Sequence, residues 1–253
     1  MDSVVIGYSG GVDSSLVAAS AARTLGERGL AVTAASPSVP PEELDAARRL
    51  AAEIGVRHIV VGTREAEREA YLANGFDRCY HCKEELYTVL ERIAADEEFA
   101  WVASGTNVDD LGDHRPGLVA AHEHGVRHPL VEASMTKQDV RDAARALRLP
   151  VWDKPASACL SSRIAFGQRI TVGELTRVGR AERLLKELGF RQVRVRVHGD
   201  LARVEVDLPD LYRLAEPGVR ERVVEELRSL GYRYVTLDLE GFRSGSMNPG
   251  SSA

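Results

Sequence analysis

A glycine-rich segment near the start of the chain constrains the fold more than any other feature. Residues 9–15 read Ser-Gly-Gly-Val-Asp-Ser-Ser; the apolar residues 4–6 before them predict a buried strand, and residues 16–25 predict a helix. Exposed backbone N–H groups and the helix dipole both favour an anion where a helix begins. The segment therefore predicts a strand–turn–helix unit that binds the phosphates of a nucleotide. Its candidate nucleotide-binding residues are Ser9, Gly10, Gly11, Val12, Asp13, Ser14 and Ser15.

Each residue type in this segment suits a phosphate site. Gly10 and Gly11 allow backbone angles and a close approach that a Cβ atom would block, and the serine hydroxyls add donors. Asp13 is predicted to orient the turn or to help hold Mg²⁺. No lysine follows the glycines, so the Walker pattern of P-loop kinases and GTPases is excluded. The alternative is a glycine turn that only caps a helix.

The charge balance and the cysteine count exclude several protein classes. The 33 Lys and Arg residues against 38 Asp and Glu leave a formal net charge of -5. The chain therefore lacks the overall basic charge that is typical of proteins that bind nucleic acids. Without a signal-peptide pattern or an apolar run long enough to span a bilayer, we expect a cytoplasmic protein with no nucleic-acid or membrane partner. The 3 cysteines, an odd number, disfavour a disulfide framework and favour catalysis or metal binding.

Strand-like runs alternate with amphipathic helix-like segments in the first part of the chain. This rhythm predicts an α/β fold over residues 1–155, with a parallel sheet and helices on both faces. Residues 150–155 break helical periodicity and end that domain. Residues 156–243 predict a smaller C-terminal α+β domain, and residues 244–253 a flexible tail. The predicted strands are 4–6, 31–35, 58–61, 99–103, 192–197, 202–206 and 234–237, and the predicted helices are 16–25, 41–54, 83–95, 171–188 and 217–230.

Polar residues follow two further strands of the predicted parallel sheet. Ser36 lies after the second strand, where a doubly wound sheet places the adenine and ribose of a nucleotide. Gly105 and Thr106 follow the strand at 99–103, on the rim where the first loop also opens. Asp109 and Asp110 either hold Mg²⁺ between ATP phosphates or cap a helix.

Two further groups lie in the first domain, after the fourth predicted strand. Residues 113–117 continue the loop after the fourth strand and are predicted to face the substrate. His122, His124 and His128 have the spacing of a metal cluster, yet their polar, loop-like surroundings favour incidental surface histidines.

The three cysteines lie in two separate segments. Cys79 and Cys82 occur where a loop opens a helix, at a spacing that lets two thiolates reach one metal, and Cys159 lies at the start of the second domain. If the three converge, they leave one coordination position open: zinc would need His81 as a fourth ligand, whereas an iron–sulfur cluster tolerates an open iron. A redox dithiol or incidental thiols remain alternatives for the pair, and a buried apolar thiol for Cys159.

Arginines form a second candidate anion site. Arg194 and Arg196 alternate along one predicted strand and so share a face, where together with Ser162 and Arg163 they offer donors to a nucleotide 5′-phosphate. The alternative is a solvated charged face of an antiparallel sheet. Glu182 and Glu205 either face the same cleft or are solvated, and carboxylates on amphipathic elements are more often solvated than functional.

The loop at residues 9–14 resembles that of the PP-loop ATP pyrophosphatases, which adenylate a carbonyl or carboxyl oxygen and release pyrophosphate. Other motifs extend the resemblance over nearly the whole chain to the LarE family, the ATP-dependent sulfur transferases that build the nickel-pincer nucleotide cofactor of lactate racemase. Those motifs are Arg78-Cys79-Tyr80-His81-Cys82-Lys83, Gly105 to Asp110, Arg115-Pro116-Gly117, Lys154-Pro155, Cys159-Leu160-Ser161-Ser162-Arg163, Arg194-Val195-Arg196 and Tyr234 to Gly241.

The resemblance implies a reaction on a pyridinium dicarboxylate mononucleotide. ATP with Mg²⁺ adenylates a ring carboxylate, and a sulfur nucleophile then displaces AMP to leave a thiocarboxylate. Family members with a lone cysteine at the position of Cys159 give up its sulfur, whereas those that also have the Cys79 and Cys82 pair resemble holders of a [4Fe-4S] cluster; the three cysteines here favour the cluster as the metal site. The sulfur source is sulfide or a cysteine-derived sulfur.

The resemblance also implies roles for other residues. Asp13 and Cys159 are the implied catalytic residues, and Ser162, Arg163, Arg194 and Arg196 hold the substrate phosphate. Tyr80 lies near where an aromatic ring stacks on the pyridinium. Family members form homo-oligomers, possibly hexamers.

Three rival functions fit parts of the sequence. PP-loop tRNA thiolation also pairs this ATP loop with three cysteines, but the acidic balance and the lack of a recognisable RNA-binding domain oppose it. An ammonia-dependent ATP ligase of the NAD-synthetase type would leave the cysteines idle. A metal-binding nucleotide sensor would bind ATP without releasing pyrophosphate.

Overall fold

The structure, a computed structural model, describes residues 1–112, 116–155 and 158–243. The chain divides into two compact units, which are described separately: Met1–Tyr71 with Phe76–Ser157, and Leu72–Gly75 with Ala158–Ala253. The sequence did not indicate that residues 72–75 group with the second unit. The predicted tail, residues 244–253, and three predicted substrate-facing residues, 113–115, lie outside the described residues.

The first unit has the predicted α/β alternation. Its strands are β1 (Val4–Gly7), β2 (Gly29–Ala35), β3 (Arg57–Gly62) and β4 (Trp101–Ser104). Its helices are α1 (Val12–Leu25), α2 (Pro41–Ile54), α3 (Glu69–Leu72), α4 (Arg78–Asp96), α5 (Pro116–Glu123), α6 (Pro129–Glu132) and α7 (Lys137–Ala146). The first four strands match the predicted ones within about two residues. Helices α3, α5, α6 and α7 were not predicted.

The four strands form a parallel sheet in the order β3-β2-β1-β4. Successive side chains of a strand point to opposite faces of the sheet, so alternate residues of β1 belong to two different hydrophobic clusters. Val4 and Ile6 pack with apolar residues of α1, α2 and α7, whereas Val5 packs with those of α4 and α5. The prediction of a parallel sheet with helices on both faces is confirmed.

The strand order determines where a ligand can enter this sheet. The chain passes from β1 outward to β2 and β3, then returns to place β4 on the other side of β1. Ligands of open α/β sheets bind at such a reversal, outside the carboxyl ends of the strands. The loops that follow β1 and β4 therefore border the predicted nucleotide site.

The second unit is a small α+β fold. Its strands are β5 (Val193–His198), β6 (Leu201–Val206) and β7 (Tyr234–Leu237), and its helices are α8 (Val172–Glu187), α9 (Leu211–Ala215) and α10 (Pro217–Ser229). The sheet has the order β5-β6-β7, with an antiparallel hairpin and one parallel pair. Valines at 193, 195 and 197 face Val206, Val204 and Ala202 across the hairpin, and all six are buried.

Over the parts of the chain that the structure describes, no helix is long and apolar enough to cross a bilayer.

Candidate active site

The first loop is fixed at its start by strand β2. The backbone N–H of Tyr8 donates to the carbonyl of Val32 at 2.8 Å, and the hydroxyl of Thr33 donates to the carbonyl of Tyr8 at 2.9 Å. Since Tyr8 directly precedes Ser9, these two hydrogen bonds set the direction in which the loop leaves the sheet.

Backbone geometry explains why glycine is needed inside the loop. Gly10 has φ +68°, and a Cβ atom there would lie 3.2 Å from Cα of Ala47 on α2. The hydroxyl of Ser14 donates to the carbonyl of Gly11 at 3.2 Å, and that of Ser9 accepts from the N–H of Gly11 at 3.3 Å. Within the described chain no side chain caps α1 at Gly11, so the N-terminus of the helix suits an anion.

The loop after β4 lies directly against the first loop. A Cβ atom on Gly105 would lie 2.6 Å from the backbone nitrogen of Ser14 and 2.9 Å from the carbonyl carbon of Asp13. The side-chain amide of Asn107 donates to Oδ1 of Asp13 at 3.0 Å. The structure therefore brings the predicted residues Gly105 and Asp13 together, and it adds Asn107, which sequence analysis did not single out.

Two lysines reach the first loop from distant parts of the chain. Nζ of Lys137, the first residue of α7, lies 2.5 Å from Oδ2 of Asp13. Nζ of Lys154 lies 2.8 Å from Oε2 of Glu43 and 3.4 Å from the carbonyl of Gly10. The sequence lacks a lysine after the glycines, but the fold supplies cations to the loop.

A sequence signal for the position of Lys137 did exist. The hydroxyl of Thr136 accepts from the backbone N–H of Asp139 at 3.2 Å, and the carboxylate of Asp139 accepts from the N–H of Thr136 at 2.9 Å. This capping box starts α7 at Lys137. The spacing of Thr136 and Asp139 would have predicted the helix.

The predicted acidic residues after β4 accept backbone hydrogen bonds. Oδ2 of Asp109 accepts from the N–H of Lys137 at 2.8 Å, and Oδ2 of Asp110 accepts from the N–H of Asn107 at 3.1 Å. Of the two roles considered for these residues, the hydrogen bonds resemble capping, and metal binding stays a prediction.

Other polar residues at this edge of the sheet bind one another. The hydroxyl of Ser36 lies 2.8 Å from that of Ser38, and the hydroxyl of Ser104 lies 3.0 Å from that of Thr106. Nδ1 of His128 lies 2.9 Å from the same Ser104 hydroxyl. His128 is half-buried, and this burial lowers its pKa below the ordinary value; that the residue is incidental stays a prediction.

Helix α4 starts at Arg78, earlier than predicted, so Cys79 lies in its first turn and Cys82 at the start of its second. Cys79 is exposed and Cys82 is partly buried, and the three cysteines, all of them described, form no disulfide. A guanidinium nitrogen of Arg78 lies 3.9 Å from the sulfur of Cys79. Across residues 1–112, 116–155 and 158–243, no group of three or more His, Cys, Asp or Glu side chains is placed to hold one metal ion.

Tyr80 occupies the same turn of α4. Its hydroxyl donates to the carboxylate of Glu123 at 2.7 Å, and this hydrogen bond raises the pKa of Tyr80. The ring meets the imidazole of His81 edge to face, at 5.4 Å between centroids. Stacking on a pyridinium stays a prediction for Tyr80.

In the second unit, Arg163 and Glu182 form a buried, bidentate ion pair. Nε of Arg163 donates to Oε1 of Glu182 at 2.7 Å, and NH2 donates to Oε2 at 3.0 Å. The two residues are 2% and 3% exposed. Oε1 of Glu182 also accepts from the N–H of Val195 at 3.0 Å, at the edge of β5. The expectation that Glu182 is solvated is therefore wrong.

The same guanidinium holds the segment that carries Cys159. NH1 of Arg163 donates to the carbonyls of Ala158 at 2.9 Å and Cys159 at 3.0 Å, and to the hydroxyl of Ser162 at 2.8 Å. That hydroxyl in turn donates to the carbonyl of Cys159 at 2.9 Å. Arg163 thus has a structural role at Cys159, and its contact with a substrate phosphate stays a prediction.

The arginines of β5 are buried as well. Nε of Arg196 donates to Oε2 of Glu205 at 3.0 Å, and its NH1 donates to the carbonyl of Ser162 at 3.0 Å. Arg194 is 7% exposed, and its guanidinium carbon lies 5.0 Å from the ring centroid of Phe242. The alternative of a solvated charged face is wrong, as is the expectation that Glu205 is solvated.

Burial among like charges leaves Arg194 in an electrostatically costly position. Desolvation first, and then the positive charges of Arg163 and Arg196, lower the pKa of Arg194 to about 10, while the carboxylates of Glu182 and Glu205 act in the opposite direction. A guanidinium in such surroundings gains from a bound anion. We call Arg163, Arg194 and Arg196 the arginine cluster.

Comparisons with known proteins agree with this geometry. Residues 3–94 match the asparagine synthase family, which places the first loop in a PP-loop domain. An uncharacterized protein of Synechocystis is 46% identical over 248 residues, covering 98% of this chain and 92% of its own length. An uncharacterized protein of Methanocaldococcus jannaschii is 26% identical over 241 residues, 95% of this chain and 91% of its own.

A third relative has a known activity. The pyridinium-3,5-bisthiocarboxylic acid mononucleotide synthase of Lactiplantibacillus plantarum is 42% identical over 248 residues, covering 97% of this chain and 88% of its own length. Because the match covers 97% of this chain, it extends through both units. The chain therefore belongs to the LarE family of PP-loop, ATP-dependent sulfur transferases.

Proposed function

We propose that this chain converts a carboxylate of a pyridinium-3,5-dicarboxylate mononucleotide into a thiocarboxylate at the expense of ATP. The relative from Lactiplantibacillus plantarum is named for the corresponding bisthiocarboxylic product. The observation that carries the proposal is the first loop, which opens at the reversal point of a parallel sheet and ends in the uncapped start of α1.

Adenylation is the first chemical step. A carboxylate oxygen of the substrate attacks the α-phosphorus of ATP, and the bond from that phosphorus to the bridging oxygen breaks, so that pyrophosphate leaves. The N–H groups at the start of α1 suit the negative charge of the phosphates. Mg²⁺, when bound, neutralises part of that charge, and Asp13 is the carboxylate of the loop that fits it.

Sulfur transfer is the second step. A sulfur nucleophile attacks the carbonyl carbon of the acyl adenylate, the carbon–oxygen bond to AMP breaks, and AMP leaves with the electron pair. The carboxylate oxygen itself is a poor leaving group, so adenylation is needed before sulfur can replace it.

The arginine cluster suits the 5′-phosphate of the mononucleotide. Arg194 and Arg196 lie on one strand at alternate positions, and the carbonyl of Ser162 is bound by Arg196. A phosphate here would relieve the repulsion between Arg194 and its two neighbouring arginines. Because Arg163 and Arg196 also hold residues 158–162, phosphate binding and the position of Cys159 depend on the same side chains.

For the sulfur carrier we propose a [4Fe-4S] cluster held by Cys79, Cys82 and Cys159. The proposal rests on the residue types: thiolates are the ligands of such clusters, Cys79 and Cys82 lie three residues apart near the start of α4, and the three cysteines form no disulfide. Such a cluster supplies, when bound, an open iron for an additional sulfide. The alternative donor is the thiol of Cys159 itself, which would limit each chain to one turnover.

The first experiment is anaerobic purification followed by iron and sulfide analysis and an absorption spectrum. About four irons per chain, with absorbance that air bleaches, support the cluster. Iron-free protein that turns over once and loses the mass of H₂S would make Cys159 the sulfur donor. Cys79→Ser separates the routes, because sacrifice of Cys159 does not require Cys79.

Pyrophosphate release tests the adenylation step independently of the sulfur source. The full chain with ATP, Mg²⁺ and the dicarboxylate mononucleotide should release pyrophosphate and form AMP once a sulfur source is added. ATP binding without any pyrophosphate release would favour a nucleotide sensor instead.

Three finer properties belong to the same proposal. We expect sulfide or a cysteine-derived sulfur as the source, a homo-oligomer that is possibly a hexamer, and a cytoplasmic location. Supply of each sulfur source in turn, light scattering after size exclusion, and fractionation of cells test them.

A further inference from the structure

Residues 149–154, which follow α7 near the end of the first unit, form a turn that we call the strap. Leu149 is buried in one hydrophobic cluster with apolar residues of α1 and α7, and Val151 packs against that cluster. The backbone N–H of Trp152 donates to the carbonyl of Leu149 at 3.2 Å, and that of Lys154 donates to the carbonyl of Val151 at 3.0 Å. These contacts give the strap a defined backbone path.

Lys154, the last residue of the strap, connects it to the first loop. Its Nζ lies 2.8 Å from Oε2 of Glu43 on α2 and 3.4 Å from the carbonyl oxygen of Gly10. Gly10 also lies close to α2, where a Cβ atom would be 3.2 Å from Cα of Ala47. Because the ammonium group holds this peptide, a displacement of Lys154 changes the support of the phosphate loop.

Arg141 holds the strap from α7. Its NH1 donates to the carbonyl of Trp152 at 3.1 Å, and its NH2 lies 3.5 Å from the carbonyl of Lys154 itself. One turn further along α7, the guanidinium carbon of Arg145 lies 5.1 Å from the ring centroid of Trp152. Two arginines on one face of α7 therefore contact the strap.

The chemistry of the two cations explains why they are coupled. A guanidinium is a planar fork of N–H donors, so one arginine can bind two carbonyls and fix their relative position. A lysine has a flexible stem, and the reach of its ammonium group depends on the backbone that carries it. Arg141 thus fixes the backbone from which Lys154 extends to Gly10.

Resting on the proposed function, we infer that Arg141 is a positioning residue for ATP binding and that it acts on the phosphate loop through Lys154. Within the described chain, both hydrogen bonds of Arg141 go to the strap. Without them, the strap and the ammonium group of Lys154 are free to move away from Gly10. The first loop then binds the phosphates of ATP less tightly.

The test measures ATP binding by the full chain with Mg²⁺, by calorimetry. Arg141→Met removes the charge and the donors, whereas Arg141→Lys keeps the charge and one donor group. We expect R141M to weaken ATP binding by about tenfold and R141K by about threefold. Arg23→Met is the matched control, because this exposed arginine lies in the last turn of α1, at the end of the helix far from the loop. R23M loses the same charge and should bind ATP like the wild type.

A double-mutant cycle tests the route through Lys154. Lys154→Met removes the ammonium group that holds Gly10 and should itself weaken ATP binding. If Arg141 acts through Lys154, R141M should cause no further loss in the K154M chain, so the double variant should bind ATP like K154M alone. The unfolding midpoint of each variant shows whether it is folded during the titration. If R141M does not fold, Arg141→Gln takes its place in the cycle.

The inference is overturned if R141M binds ATP like the wild type, or if R141K loses as much affinity as R141M. It is also overturned if R141M weakens ATP binding by the same factor in the wild-type and K154M chains, or if K154M alone has no effect. A wild-type chain that bound no ATP would instead refute the proposed function, on which the inference rests.

Discussion

The side-chain amide of Asn107 donates a hydrogen bond to the carboxylate of Asp13 at 3.0 Å, and it joins the loops that follow β4 and β1. Asn107 is 2% exposed, and its side-chain oxygen accepts from the N–H of Asp109 at 3.0 Å. One buried amide therefore uses both its donor and its acceptor to hold the edge of the sheet where the nucleotide is proposed to bind.

We expect Asn107→Asp to damage this edge more than Asn107→Ala does. The aspartate has nearly the same shape but places a second carboxylate against Asp13, whereas alanine only removes hydrogen bonds. Near pH 7, Asn107→Asp should lower the free energy of unfolding by about 1–3 kcal/mol. This loss should shrink as the pH falls, because the new carboxylate becomes protonated. Unfolding midpoints of both variants between pH 4 and 7 test this, and equal losses at all pH values would contradict it.

Gly105→Ala should disturb the phosphate loop directly. The new methyl group would lie 2.6 Å from the nitrogen of Ser14, and a backbone atom cannot move aside without shifting the start of α1. We expect a destabilisation of about 1–3 kcal/mol and weaker ATP binding. Gly62→Ala, at the end of β3, is the matched control, since a methyl group there has no neighbour within 4 Å. Equal behaviour of the two variants would argue against the close approach.

Glu182→Gln should destabilise the second unit strongly. It leaves the guanidinium of Arg163 buried without its counter-charge, a loss of about 3–5 kcal/mol by analogy with other buried pairs. The double variant R163M/E182M removes both charges and should recover much of the stability. It also removes the donors to the carbonyls of Ala158 and Cys159, so sulfur transfer should remain low. Full activity in the double variant would show that Arg163 does not position Cys159.

Local patterns predicted the phosphate loop and the sheet that carries it. The apolar run at 4–6, the glycines and the following helix are consecutive in the sequence, so short-range periodicity was sufficient to predict this strand–turn–helix unit. The alternation of elements then led to a parallel sheet with helices on both faces, and the observed strand order agrees with it.

Long-range pairs were not predictable in the same way. Nothing in the sequence around Lys137 indicates that its ammonium group meets Asp13, because the contact depends on how α7 packs on α1. For Glu182 and Glu205 the sequence pattern favours solvated carboxylates, since burial of a charge is rare without a partner. Their partners Arg163 and Arg196 come from other elements of the second unit, and only the fold brings them together.

His58 gives a pH-dependent prediction, and its tautomer follows from its neighbours. The hydroxyl of Thr33 donates its only hydrogen to the carbonyl of Tyr8. In its second hydrogen bond the hydroxyl oxygen therefore accepts from Nε2 of His58, which lies 2.8 Å away. Nε2 therefore carries a hydrogen. Burial first, and then the charge of Arg48, lower the pKa of His58 below the ordinary value of 6.5.

The sign of the effect follows from that shift. When the pKa of a group is lower in the folded than in the unfolded protein, protonation favours unfolding. The contribution of that group to the free energy of unfolding is therefore complete above the unfolded-state pKa and is lost as the pH falls through the folded-state pKa. The unfolding midpoint should therefore decrease from about pH 6.5 downward. His58→Gln keeps an N–H donor for Thr33 but cannot titrate, so its midpoint should decrease less steeply. His122→Gln changes an exposed histidine of α5 and should keep the wild-type slope. An unchanged slope in H58Q would mean that the fold does not resist protonation of His58.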